Sequence, residues 1–160
     1  MKKLTRALAA PLIAAAVLAG SGAALASTAL TYKFPGSLLQ GSNLVTRTDP
    51  GGTDIYINPA DFGQVYAGGL SQSQIAVAAV TQRPITASAL ADPATVNPPA
   101  SVPKWEIVAL EDHAIPTQAE QFMASRAHAH VVSTHSGHDV PAARPGVVDS
   151  TIVQAAQSAG

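Results

Sequence analysis

Two residues in the last third of the chain have the types and spacing for proton-transfer chemistry. Asp112 closes the apolar run Trp105–Leu110, within Lys104-Trp-Glu-Ile-Val-Ala-Leu-Glu-Asp112-His-Ala-Ile-Pro116. His138 follows a second run, His130–Thr134, within Ser136-Gly-His138-Asp-Val-Pro141. A carboxylate that holds one imidazole nitrogen fixes the tautomer, and the other nitrogen becomes a general base. An acid and then a histidine, each just past a short strand, is the order in which a Ser-Asp-His triad delivers its last two members. The first member has no counterpart, because no Gly-x-Ser-x-Gly turn occurs in the chain. Ser71, in Gly69-Leu-Ser-Gln-Ser73, lacks the closing glycine and a preceding strand, and it suits a helix N-cap better. Ser37 and Ser42 are loop serines. The nucleophile stays unknown. Each residue of the pair also has a plainer reading: Asp112 as a turn or capping residue, His138 as a surface histidine. Asp139 is a rival acid, but adjacent residues rarely turn their side chains toward each other.

The elements that must carry the pair are legible on both sides of it. Trp105–Leu110 is short and apolar enough for a buried strand. Thr117-Gln-Ala-Glu120 reads as a capping box, and Ala119, Phe122 and Met123 form a stripe, so a helix is expected to about Ala127. His130–Thr134 reads as a second strand. Pro145 opens a last helix with Val148, Ile152, Ala155 and Ala156 on one face. Strand, helix, strand, helix implies a parallel pair joined by a crossover. Sites in such sheets lie beyond the carboxyl ends of the strands. Asp112 and His138 therefore share one edge.

Upstream, residues 27–52 show no period and read as an irregular loop segment. Residues 53–91 read as helical, after a short strand-like run at Asp54–Ile57. Asn58 caps a first helix with Pro59 at its first position, Ser71 and Gln74 form a capping box for a second, and Pro84 opens a third, weaker piece. Residues 92–103 are a proline-rich connection to the 104–160 unit.

Residues 1–26 have the order of an export signal: Lys2, Lys3 and Arg6, an apolar run from Ala7 to Leu18, then Ala24-Leu-Ala26. Cleavage after Ala26 and a secreted or periplasmic protein are expected. The apolar run falls short of the roughly 20 residues a spanning helix needs, so no stable membrane anchor is expected. Removing that segment leaves six basic residues against ten acids, a net charge of −4 with no basic stripe, which disfavours nucleic acid as a partner. The chain has no cysteine, so disulfides and thiolate metal sites are excluded. Five histidines fall between His113 and His138. His128 and His130 flank the start of a strand, whereas His135 and His138 lie beyond its end, and a strand's length, roughly 15–20 Å, is too far for one tetrahedral zinc. Neither a metal nor a cofactor is expected.

The runs Glu111-Asp112-His-Ala-Ile-Pro116, Gln121-Phe-Met-Ala-Ser-Arg126, Gly137-His138 and Arg144-Pro145 resemble the C-terminal end of α/β-hydrolases. They are closest to the small esterase branch that includes plant methyl-ester hydrolases and hydroxynitrile lyases. Tyr56-Ile-Asn-Pro-Ala-Asp-Phe62 and Thr81-Gln-Arg-Pro84 resemble that branch's cap. The resemblance runs from about Phe34 to the C-terminus. It implies an α/β chain: a partial α/β-hydrolase fold with a helical cap segment and a C-terminal β-α-β-α unit of parallel strands. It also implies catalytic roles for Asp112 and His138. The family's nucleophile elbow and oxyanion loop should precede the cap, and the export signal stands in their place. An exported esterase-like protein is expected, of the carboxylic ester hydrolysis class and inactive alone. The alternatives are a non-catalytic binding protein or a truncated gene remnant that needs a partner. A half-sheet with an uncovered edge also predicts oligomerisation or a complementing N-terminal half, with a small ester as substrate.

Overall fold

A computed structural model describes residues 33–90, 99 and 101–158 of the chain. The expected export signal and most of the expected proline-rich connection fall outside those residues.

The first unit is built on an antiparallel sheet. Strands β1 (Leu44–Asp49) and β2 (Gly52–Ile57) form a hairpin with Asp49 opposite Gly52, and the short β3 (Ile85–Thr86) adds to β2. Pro50-Gly51 makes the turn, Asp49 Oδ1 accepts from Gly51 N at 2.7 Å, and Gly52 adopts φ +139°, a conformation L side chains rarely adopt. Two helices follow β2: α1 (Phe62–Val65) and α2 (Gln72–Thr81). Phe62, Ala67 and Ala79 form a buried cluster, with Ile57, Tyr66, Leu70 and Ile75 packed around it. The Gln82 amide clamps the end of β2, accepting from Ile57 N and donating to Ile57 O, both at 2.9 Å.

Three local expectations change here. Within the segment read as loop, residues 44–49 are a strand, because Val45 and Thr48 are β-branched and pair with Tyr56 and Thr53 across the hairpin. The stretch after Pro84 is a strand and a 3₁₀ turn (Ser88–Leu90), not a helix. The Asn58 side chain accepts from Ala60 N at 3.2 Å and makes a turn, so α1 begins four residues later, at Phe62. The Ser71 capping box is present: Gln74 N donates to Ser71 Oγ and Ser71 N donates to Gln74 Oε1.

The second unit is the β-α-β-α run. Strands β4 (Trp105–Ala109) and β5 (His130–Thr134) are parallel, and Trp105 registers with His130. Helix α3 (Thr117–Ala127) links them and packs on β4. The short α4 (Val140–Ala143) leads into α5 (Pro145–Ser158), which also touches β4. The expected capping box at α3 is not made. Thr117 Oγ1 instead donates to Ala109 O, and Glu120 Oε2 accepts from Ala109 N, each at 2.9 Å. Both side chains reach past their own helix to hold the end of β4. On α5 the expected apolar face is turned: Thr151 is buried, whereas Ile152 is 60% exposed and Ala156 is exposed.

Leu39, Val65 and Ala114 form a second buried cluster that joins the two units. Leu38 N donates to His113 O, and the Ser37 hydroxyl donates to Ala114 O at 2.6 Å. The fold is mixed α/β, with an antiparallel and a parallel sheet. No helix among the described residues is long and apolar enough to cross a membrane.

Candidate active site

The parallel strands deliver the acid and the histidine to one edge. Past the end of β4, Asp112 N donates to Ala109 O, closing a tight turn. Its Oδ1 then accepts from Ala114 N at 2.6 Å and Ile115 N at 2.9 Å. One oxygen of Asp112 thus makes the turn, and the other is left for the histidine. The second oxygen, Oδ2, accepts from Nδ1 of His138 at 2.7 Å. The Asp112 side chain is wholly buried, and that of His138 is 24% exposed. With Nδ1 donating to Asp112, Nε2 carries the free lone pair, as a general base requires.

The loop that carries His138 is fixed at its base and at its tip. Glu111 N donates to Ser136 O, tying together the two turns that follow the strands. Gly137 N donates to Gly68 O, and Asp139 N donates to Tyr66 O, docking the histidine onto the helical segment. Gly137 has to be glycine there, since a Cβ would lie 2.7 Å from Gly68 N and 2.8 Å from its Cα. The Tyr66 ring lies 4.8 Å from the His138 ring, tilted by 54°. Burial raises the Tyr66 phenol, and the carboxylates of Asp139 and Asp112 raise it further, so the phenol stays neutral beside the imidazole.

His138 faces a cavity of about 490 Å³ between the units. Its walls are mainly apolar, with Leu44, Ile55, Ile57, Phe62 and Ile85 prominent, and Arg83 and Asp139 add charge. A mostly apolar pocket with a few convergent polar groups is the usual form of a small-molecule site.

The candidate serines are engaged elsewhere. Ser37 is buried, and its hydroxyl is committed to Ala114 O. Ser71 is exposed and caps α2, while Ser42 is exposed in the 3₁₀ turn Gly41–Asn43. Asp139 lines the cavity without bonding His138. The other histidines are scattered: His113 lies 3.1 Å from Gln64 O, His135 meets Glu111 at the surface, and His130 stacks on Trp105. His128 caps α3 with φ 53°.

Glu120 has a role that the sequence analysis did not assign. Only 7% exposed, it lies with Asp112 and His138 in a group in which one polar atom of each residue falls within 4.8 Å of the others. Burial first and then the Asp112 charge push its carboxyl up to about 8, against the lowering effect of the Ala109 amide. Its sequence signal was present in Thr117-Gln-Ala-Glu120, but that pattern points to capping. Two carboxylates and an imidazole are also a possible cation-binding set. Here, however, Asp112 Oδ1 already serves two amides, and the His138 nitrogen facing the acids is already bonded to Oδ2.

Among solved structures, polyneuridine aldehyde esterase, an α/β-hydrolase, matches with a TM-score of 0.64 at 18% sequence identity. The likeness is one of fold. It covers 79% of this chain and 52% of that one, so the chain spans about half the length of the structure it matches. No family model matches the sequence, and no curated protein does either.

Proposed function

We propose that this protein supplies the acid and the base of a serine-esterase active site and acts on small carboxylic esters once a nucleophile is brought to it. The observation that carries the reading is the 2.7 Å Asp112–His138 bond, with the imidazole facing an apolar cavity. His138 Nε2 would take the proton of an attacking hydroxyl and later return it to the leaving alcohol, while Asp112 holds the tautomer and stabilises the imidazolium. The α/β-hydrolase-like fold agrees with a partial hydrolase, cap-like segment first and β-α-β-α unit second.

The nucleophile would come from a complementing chain. Just past β4, Leu110 N donates across to Thr134 O of β5, so by strand alternation Ala109, Ile107 and Trp105 point their backbone groups the other way. Thr117 and Glu120 occupy those of Ala109. Among the described residues no strand pairs with that edge. An unpaired parallel strand is a docking edge, and a further strand there would extend the sheet past the dyad. Export, with the mature chain starting at Ser27, belongs to the same proposal, and N-terminal sequencing of exported protein that returned Met1 would reject it.

Purified alone, the chain should show little turnover of short-chain nitrophenyl esters and no labelling by a fluorophosphonate. Loss of a single oxyanion donor costs on the order of 10²–10³ in rate, and here the nucleophile is missing as well. The assay compares wild type with Ser37→Ala, Ser42→Ala, Ser71→Ala and His138→Ala. Labelling that disappears in one serine variant and in His138→Ala would replace this reading with a self-sufficient hydrolase. A second reading, a non-catalytic binding protein, rests on the cavity itself, which needs no nucleophile to hold an apolar ligand.

A further inference from the structure

We propose that Glu120 is a positioning residue that holds a proton between itself and Asp112, so that the buried acid pair carries one negative charge and keeps His138 in its Nδ1–H form. The inference rests on the reading of Asp112 and His138 as a dyad. Its basis is a count of donors and acceptors. Both Asp112 oxygens accept: Oδ1 takes the amides of Ala114 and Ile115, and Oδ2 takes His138 Nδ1. Asp112 therefore has no proton to offer Glu120, and a carboxylate oxygen of each lies within 4.8 Å of the other. Of two carboxyls so close, Glu120 is the one with an oxygen left to carry a proton. Its other oxygen is fixed in the acceptor role by Ala109 N at 2.9 Å.

The groups around Glu120 point the same way. Asp112 comes from the turn after β4, His138 from the turn after β5, and Glu106 from β4 itself. Neither Lys nor Arg is among them. Two ionised carboxylates so close in a buried corner would repel strongly, and sharing a proton removes that repulsion. Burial acts in the same direction. The consequence reaches the histidine. A corner with one net negative charge stabilises an imidazolium once, while the Glu120–Ala109 bond anchors the acid pair to the end of β4.

The test is infrared spectroscopy of the full chain between pH 6 and 9, alongside ¹⁵N NMR of His138. Wild type should show a protonated carboxylic acid band at pH 6–7, where ordinary glutamates are ionised, and should lose it as pH passes about 8. The band should be absent in Glu120→Gln. That variant still accepts from Ala109 N and donates to Asp112, so His138 should keep its Nδ1–H tautomer, whereas Glu120→Ala should leave a mixture of tautomers. No band in wild type, or a band that persists in Glu120→Gln, overturns the proposal. So does a wild-type tautomer mixture that Glu120→Gln reproduces. A wild-type His138 found only as Nε2–H, with the band present, would overturn the dyad and leave the protonated glutamate standing.

Discussion

The corner around Asp112 and the outer faces of β4, β5 and α5 belong to the same small unit and are finished to different degrees. In the corner the buried polar side chains are bonded. Asp112 serves three donors, Glu120 and Thr117 hold Ala109, and Ser37 closes on Ala114. On the outer faces Val131 is 50% exposed, Ile152 60% and Val153 53%, and the buried Trp105 indole nitrogen has no partner among the described residues. Apolar surface and edge backbone groups left open in this way are expected where another chain sits. The contrast teaches that the Asp112 corner is closed by side-chain bonds, whereas the sheet around it is open.

Substitutions should separate the two regions, and the largest effect belongs to the corner. Asp112→Ala strands the amides of Ala114 and Ile115 and frees His138, so it should cost about 3 kcal/mol or more in urea unfolding, at roughly 1–3 kcal/mol per unsatisfied buried group. A cost below 1 kcal/mol would show that those bonds are replaced by water. Gly137→Ala pushes a methyl into the Gly68 backbone. It should cost about 1–3 kcal/mol and shift the His138 resonances, because the loop has to lift off residues 66–68.

Glu120→Gln tests the corner through pH. The folded chain keeps the Glu120 proton up to about 8, whereas an unfolded glutamate releases it near 4.5. Wild-type stability is therefore full below about pH 4.5 and falls as pH rises toward 8, since across that window the folded state binds more protons. Glu120→Gln lacks this slope, so its Tm relative to wild type should rise by a few degrees from pH 5 to pH 9. The smallest effect belongs to the outer face: Ile152→Ser should change stability by no more than about 0.5 kcal/mol. A loss of 2 kcal/mol there would mean that the face is buried in the isolated chain, and the contrast between the regions would fall.

Much of the site was legible because its parts obey short-range rules. Apolar runs marked β4 and β5, and the βα order forced them parallel, so the placement of Asp112 and His138 at one edge followed from topology. The Ser71 capping box likewise needs only neighbours in sequence. Side chains recruited over distance were not legible. Thr117 and Glu120 satisfy a capping pattern yet reach back to Ala109, because a strand end with open backbone groups competes for them. β1 was missed because it lies among Gly, Ser and Asp, and its strand character comes from pairing with β2. The α5 face was misassigned because periodicity shows that a stripe exists, not which neighbour covers it.

The central claim is that Asp112 holds His138 with its Nε2 free to act as a base, and the tautomer is its most direct measure. In ¹⁵N-labelled protein, the neutral form of wild-type His138 should carry its proton on Nδ1. In Asp112→Asn the amide should donate to Nδ1 and move the proton to Nε2. Wild-type His138 protonated on Nε2, or a tautomer indifferent to Asp112→Asn, would contradict the account.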